Sequence, residues 1–312
     1  MTPESVLVTG GYGFLGRAVA RRFKRQGWRV LGIGHGRWAP EEAQAHGYDA
    51  WLDAGVNLSS LMSLRERIGL IVHCGGNGSV GFSLSNPLED FSKTVTGTAG
   101  LLEFMRLSDS KALLIYPSSA AVYGSKPDRP IVETDALEPI SPYGVHKKIV
   151  EELLASYSKN YGTRVAVIRF FSIYGPGLTK QLLWEASMKL RAAKGAPAVF
   201  WGTGEETRDW LSSDDAAELI WAVGHLHEPF TILNGGSGRR TTVRDTLTLL
   251  NDELSTGSSL VFNDLVREGD PRFYHANIDR ARALNWSSAV SLESGIRGFV
   301  SWLREYQDRD RD

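Results

Sequence analysis

Ser5-Val6-Leu7-Val8-Thr9-Gly10-Gly11-Tyr12-Gly13-Phe14-Leu15-Gly16 is the stretch on which the fold turns. A short apolar run, rich in β-branched residues, stops at a glycine cluster. A segment of helical period follows from Arg17 to Gln26, with Ala18, Val19 and Phe23 able to face inward. Gly27 closes that segment, and Trp28 to Ile33 reads as the next strand. Strand, glycine turn, helix, strand is the order of a dinucleotide-binding βαβ unit. The glycines let the backbone turn tightly and approach a pyrophosphate, while the helix start offers unpaired N–H groups and the positive end of the dipole. Gly10, Gly13 and Gly16 are therefore candidate cofactor contacts.

The end of the second strand bears on which dinucleotide binds. An acidic residue there would hydrogen-bond the ribose 2′-hydroxyl of NAD. The chain reads Gly34-His35-Gly36-Arg37 instead, so Arg37, with His35, can pair with a 2′-phosphate. NADP(H) is the expected cofactor. NAD is the alternative, with Arg37 then pointing into solvent.

Outward from this unit the alternation continues through Asp49–Val56, a helix near Leu61–Arg67 and a buried strand Leu70–Cys74. A helix over about Pro87–Met105, a strand Ala112–Pro117, a helix from Ser141 and a strand Thr163–Phe170 complete it. Such alternation predicts an α/β fold, a Rossmann-like doubly wound parallel sheet covered on both faces. Beyond about residue 172 the rhythm changes. Helices over Lys180–Lys194, Asp214–His227 and Val243–Leu254, with short strands Ala198–Trp201 and Thr231–Asn234, suggest a smaller C-terminal substrate lobe. The expected division is a dinucleotide-binding domain over 1–172, a substrate lobe over 173–304 that need not be continuous, and a charged, frayed tail over 305–312.

Among the 312 residues, 35 Lys and Arg nearly balance 36 Asp and Glu, which disfavours bulk binding of nucleic acid or an anionic membrane. A single cysteine, Cys74, excludes an internal disulfide and a cysteine-based zinc cluster. Neither His73 nor His146 has partners at metal-ligand spacing, and no apolar run reaches the ~20 residues of a membrane span. A cytoplasmic protein without a metal is the expectation. His73 and His146 read as packing or surface residues, and Cys74 as a small apolar residue closing a strand. Glu205-Glu206 and Asp214-Asp215 read as turn and helix-start residues, Asp214 being able to cap its helix.

The chemistry points to Ser141-Pro142-Tyr143-Gly144-Val145-His146-Lys147. Ser141 suits an N-cap and Pro142 the first helical position. Tyr143 and Lys147, four residues apart, then share one helix face. An ammonium beside a phenol stabilises the phenolate, making the tyrosine a proton donor and acceptor nearer neutral pH.

Taken in order, these motifs resemble the extended short-chain dehydrogenase/reductase superfamily, in its nucleotide-sugar epimerase, dehydratase and reductase branch. Thr9-Gly10-x-x-Gly13-Phe14-x-Gly16 is similar to its cofactor signature, and Val72-His73-Cys74-Gly75-Gly76 to its His-x-Ala-Gly segment. Ser118-Ser119 before Val122-Tyr123-Gly124, then Tyr143-x-x-x-Lys147, resemble its catalytic serine, tyrosine and lysine. Arg169 to Pro176, Gly202-Thr203-Gly204, Thr207-Arg208-Asp209-Trp210, Arg267-Glu268-Gly269-Asp270 and Leu284-Asn285-Trp286 match further segments.

The resemblance implies roles. Tyr143 would be general acid/base on a sugar oxygen that Ser119 holds, and Lys147 would bind the nicotinamide ribose. Phe14, Leu15, Cys74, Gly75, Gly76 and Phe171 would line the cofactor. Asn57-Leu58 would contact adenine, with Asp53 an alternative. Arg208 and Arg267 would grip a substrate diphosphate, Asp270 its nucleoside ribose, and Ser172 would border the sugar pocket. Gly34 departs from the usual Asp of NAD-preferring epimerases. Thr94 replaces a common Asn. Ala120-Ala121 replace the Asp-Glu pair that a 4,6-dehydratase needs for proton transfer at C5 and C6.

The expected function is hydride transfer at C4 of a nucleoside-diphosphate sugar, a 4-ketoreductase favoured slightly over a 4-epimerase because position 34 lacks an acid. A dehydratase and a non-catalytic dinucleotide-sensing binder rank below both. A homodimer through the Tyr143 helix and the helix before it is implied.

Overall fold

The computed structural model describes residues 4–265 and 271–309. β1 (Ser5–Thr9) leads into α1 (Phe14–Arg25) and β2 (Arg29–Gly34). The short α2 (Pro40–Ala45) precedes β3 (Ala50–Asp53), and α3 (Leu58–Met62) precedes β4 (Leu70–His73). The second run holds α4 (Val80–Ser85), α5 (Pro87–Phe91), one π-helical turn at Ser92–Thr96, α6 (Gly97–Leu107), β5 (Leu113–Ser119), α7 (Pro142–Tyr161) and β6 (Arg164–Phe170). All these strands pair in parallel, and their order reverses between β1 and β4. Ligands of open parallel sheets bind in the crevice at such a reversal.

Alternation along each strand explains the two covered faces. Val6 and Val8 of β1, Ile115 of β5 and Ile168 of β6 pack with Val19 and Phe23 of α1. Their neighbours Leu7, Leu114 and Val167 pack on the other face with Leu101 and Leu102 of α6 and Val150 and Leu154 of α7. With Leu114 fully buried, truncating it to alanine would cost about 2–5 kcal/mol.

The helix expected over Pro87–Met105 is interrupted. The wider π turn carries Thr94, whose Oγ1 accepts the Asn77 N–H at 3.3 Å, so the ladder yields to the loop after β4.

The rest of the chain holds β7 (Ser172–Tyr174), α8 (Gln181–Ala193), β8 (Ala198–Phe200), β9 (Thr207–Arg208), β10 (Trp210–Ser212) and α9 (Ser213–Val223). Then come β11 (Phe230–Gly235), β12 (Thr241–Thr242), α10 (Val243–Leu254), β13 (Leu260–Phe262), α11 (Asp279–Arg282) and α12 (Leu292–Arg309). Three two-stranded sheets form here: β7 with β10, β9 with β12, and β8 with β13. Leu183, Leu190, Leu247, Leu250, Ile296 and Phe299 give this part its own core.

β11 instead joins β6 as the seventh strand of the main sheet. Asn234 locks it there, donating to the Ile131 carbonyl at 2.9 Å and accepting from the Tyr123 hydroxyl at 2.7 Å. The charged tail is helical through 309, because Tyr306 packs against Trp302 and Trp184 at ring distances of 5.2 and 5.9 Å. Among the described residues no helix is long and apolar enough to cross a membrane.

Candidate active site

The glycine loop fills the switch point. Gly10 has φ +63°, and a Cβ there would lie 2.6 Å from the Cys74 carbonyl carbon. A Cβ on Gly16 would lie 2.6 Å from the Gly10 oxygen. Gly13 caps α1 without a side-chain bond, and the first turn of that helix has no acidic residue. Its leading N–H groups, those of Phe14 and Leu15 included, lack helix partners. A backbone cradle that tolerates no side chain, with positive dipole and free donors, fits a pyrophosphate. The loop is held from beneath by Tyr48, whose hydroxyl lies 2.9 Å from the Gly11 oxygen and 3.0 Å from that of Gly16. No spacing in the sequence signals Tyr48.

Across the crevice, His73 is a structural hub. Thr98 donates its hydroxyl to the Thr94 carbonyl at 2.6 Å, so it accepts from His73 Nε2 at 2.9 Å. Nδ1 is then left to accept from Thr9 Oγ1 at 2.5 Å, and Thr9 accepts the Gly75 N–H at 3.2 Å. Burial first, and the Lys147 charge second, push His73 down to about 3, so it stays neutral. The chain of bonds fixes the loop through Cys74, Gly75 and Gly76 at the end of β4. Burial pushes the Cys74 thiol up to about 12, and it is inert as a nucleophile at neutral pH.

The two serines at the end of β5 point opposite ways, as strand neighbours must. Ser118 is buried and donates to Glu151 at 2.5 Å, within a buried pair in which Arg169 reaches Glu151 at 2.7 Å. Ser119 turns to the other side, accepts the Ala121 N–H at 3.2 Å and hydrogen-bonds Tyr143. On α7, Ser141 accepts the Gly144 N–H at 3.2 Å and Pro142 starts the helix, as its sequence requires. Lys147 is buried, one turn beyond Tyr143. Its Nζ donates to the Pro117 carbonyl at 3.1 Å and lies 4.5 Å from the Tyr116 ring centroid. Ser119, Tyr143 and Lys147 thus meet at the carboxyl end of the sheet.

One expectation fails here. Tyr143 is not acidified: burial pushes it up to about 12, against the bond with Ser119 and with the Asp90 charge adding to the rise. The Lys147 ammonium lies 5.8 Å from the Tyr143 ring centroid and does not outweigh burial. Burial also brings Lys147 down to about 8, with Cys74, Asp90 and Glu151 pulling the other way. His146 is neither bare packing nor surface. Its Nδ1 pairs with the fully buried Asp90, which also accepts from Asn77 at 2.8 Å, so α7 is tied to α5.

Just beyond β6, Phe171 is buried between Tyr123 and Tyr274, at ring distances of 6.5 and 5.1 Å. Ser172 donates its N–H to the Asp209 carbonyl at 3.0 Å. Arg208 is buried, with Nη1 donating to the carbonyls of Thr207 at 2.8 Å and Pro271 at 2.9 Å. Arg267 and Asp270 lie outside the described residues. Asp209 is a structural carboxylate, accepting N–H groups from Ser237, Gly238 and Ala276. Ser212, not Asp214, caps α9, and Asp215 accepts the N–H groups of Ala289 and Val290.

At the other end of the crevice, His35 and Arg37 are exposed, and Arg37 Nε lies 3.8 Å from Asp53. Asn57 caps α3, accepting the Ser60 N–H at 3.0 Å, and the half-buried Leu58 packs beneath the sheet.

Residues 6–234 match the model of the NAD dependent epimerase/dehydratase family. The chain is 27% identical to the putative UDP-glucose 4-epimerase of Methanocaldococcus jannaschii, over 96% of this chain and 98% of that protein. It is 27% identical to UDP-glucuronate 4-epimerase 3 of Arabidopsis thaliana, over 97% of this chain and 77% of that protein. The crystal structure of UDP-glucose 4-epimerase from Thermotoga maritima with UDP-glucose has the same fold. The TM-score is 0.87 at 25% identity, over 97% of this chain and 99% of the other.

Proposed function

The chain belongs to the NAD dependent epimerase/dehydratase family, and from that premise we propose that it is a 4-epimerase of a uridine-diphosphate sugar that keeps NAD through its cycle. The observation that carries this reading is the convergence of Ser119, Tyr143 and Lys147 beside the glycine cradle. The names of the relatives support epimerase over the ketoreductase that Gly34 and Arg37 favoured in the sequence. The family's NAD dependence likewise supports NAD over NADP. The buried Ala120 and half-buried Ala121 offer no acid/base pair for dehydration.

NAD, when bound, would supply reversible hydride transfer at C4, with the two faces of the sugar presented in turn. Tyr143 takes the proton of the C4 hydroxyl and gives it back. Ser119, bonded to the same phenol, holds the C4 oxygen and orients the transfer. Lys147 is mostly charged at pH 7, and its ammonium offsets the phenolate as it forms. Phe14, Leu15, Gly75 and Gly76 border the dinucleotide. Arg208, with Arg267 from the sequence, grips the diphosphate, since a guanidinium binds phosphate oxygens bidentately.

UDP-glucose and UDP-glucuronate are the sugars to offer first, with product followed by proton NMR. Tyr143→Phe should lower turnover by about 10²–10⁴-fold while NAD is still released on denaturation. Wild-type turnover in that variant would refute the proton assignment, and no 4-epimer from any UDP-sugar would refute the function.

The same reading includes a homodimer. Leu84 on α4, Leu88 and Phe91 on α5, and Val145 on α7 are exposed apolar residues on neighbouring helices. Sedimentation at micromolar concentration should give a dimer, and Leu88→Glu a monomer; a monomeric wild type would refute it.

A further inference from the structure

The acid missing from the end of β2 has a substitute one strand away. β2 and β3 run in parallel with Gly34 opposite Asp53, so the Asp53 carboxylate stands at the level where a β2 acid would. The displacement is one strand spacing, about 4.8 Å. Gly34 interposes no side chain, and a Cβ there would already touch the Trp51 ring at 3.3 Å and the Gly10 Cα at 3.5 Å. Asp53 is also held in place. Its Oδ1 accepts the Gly36 N–H at 3.3 Å, and the Gly36 carbonyl is pinned by Trp51 Nε1 at 2.9 Å. Tyr12 covers the same turn so closely that any side chain at Gly36 would strike its ring. The other carboxylate oxygen remains accessible, Asp53 being 43% exposed, beside an Arg37 that is 98% exposed and only loosely paired at 3.8 Å.

We propose that Asp53, carried by β3, recognises the adenosine ribose of the dinucleotide and excludes a 2′-phosphate. The proposal rests on the reading that this crevice holds NAD. A carboxylate beside the end of β2 can accept a hydrogen bond from a ribose hydroxyl, whereas a phosphate there would face like charge. Arg37 stands 3.8 Å from that same carboxylate, so a phosphate drawn to the pair meets the negative charge of Asp53 as well. Asp53 is thereby distinguished from an adenine contact, which cannot tell the two dinucleotides apart.

The test is equilibrium binding of NADH and NADPH, read by nicotinamide fluorescence, to wild type, Asp53→Asn and Asp53→Ser. Thermal melts of each variant without nucleotide report folding. Asn keeps an acceptor for the Gly36 N–H and removes the charge, so it guards against a mere loss of structure. Wild type should favour NADH, and both variants should narrow the ratio by about tenfold or more, which is about 1.4 kcal/mol. Two results overturn the proposal: a wild type that favours NADPH, or variants in which both affinities fall in parallel at an unchanged ratio. A wild type that binds neither dinucleotide overturns the cofactor reading itself, and the proposal with it.

Discussion

Replacing Lys147 with methionine should remove a rise in stability that the wild type shows as pH increases from 8 to 10.5. Burial pushes the Lys147 pKa from 10.5 down to about 8. Above the higher value the amine is neutral whether the chain is folded or not, and burial carries no charge penalty. Below about 8 it is charged in both states, and the folded state bears the whole cost of the buried ammonium. Between them the unfolded chain binds a proton that the folded one does not, so stability climbs with pH. At about 1.36 kcal/mol per pKa unit, the displacement corresponds to about 3 kcal/mol. Methionine removes that cost, but it leaves the Pro117 carbonyl without the donor that Nζ provides at 3.1 Å. An unsatisfied buried acceptor costs about 1–3 kcal/mol, so the net gain at pH 7 is only ~0–2 kcal/mol. The pH dependence is the sharper measure. Urea unfolding of nucleotide-free protein should show the advantage of the variant shrinking by about 3 kcal/mol from pH 7 to pH 10.5. Titrations that do not feel Lys147, such as that of Lys180, which burial also pushes down, are common to both proteins and cancel. Parallel pH profiles would mean that Lys147 titrates normally, and would refute the premise that burial governs it. The variant should be inactive even where it is more stable, as expected when a catalytic site stores an unfavourable charge.

The two serines of β5 should separate cleanly. Ser119→Ala should lower kcat by about 10²-fold, by analogy with the loss of one donor to a reacting oxygen. Ser118→Ala should leave kcat within about twofold and reduce stability by about 1–2 kcal/mol in urea unfolding, because only its bond to Glu151 is lost; equal kinetic effects would refute the assignment. Gly16→Ala should abolish copurifying nucleotide, since its Cβ would lie 2.6 Å from the Gly10 oxygen. Mass spectrometry of the denatured protein reads this directly, and stoichiometric NAD in the variant would contradict the cradle.

Legibility followed the range of the forces involved. The glycine loop and the start of α7 were readable because their constraints are local: a positive φ at Gly10, a serine cap at Ser141, a proline in the first turn. Ser119 could be preferred over Ser118 from its distance to Val122-Tyr123-Gly124, a spacing within one short segment. The partners of Tyr48, Asp53 and Asp90 were not readable, because each acts across 17 to 56 residues of chain. The Tyr143 pKa was misjudged for a related reason. A four-residue spacing reports proximity to Lys147 but not burial, and burial decides the direction. The π turn escaped notice because Thr94 answers to the loop after β4 rather than to its own helix.

The late arrival of β11 has a consequence for the protein while it is being made. β6 is complete at Phe170, but the strand that covers its outer edge ends at Gly235, about 65 residues later. At roughly 5–20 residues per second, the ribosome leaves that edge bare for several seconds. An unpaired edge is a template for pairing with another chain. Expression of residues 1–172 alone would make the exposure permanent, so that fragment should go to inclusion bodies or chaperones while the full chain stays dispersed.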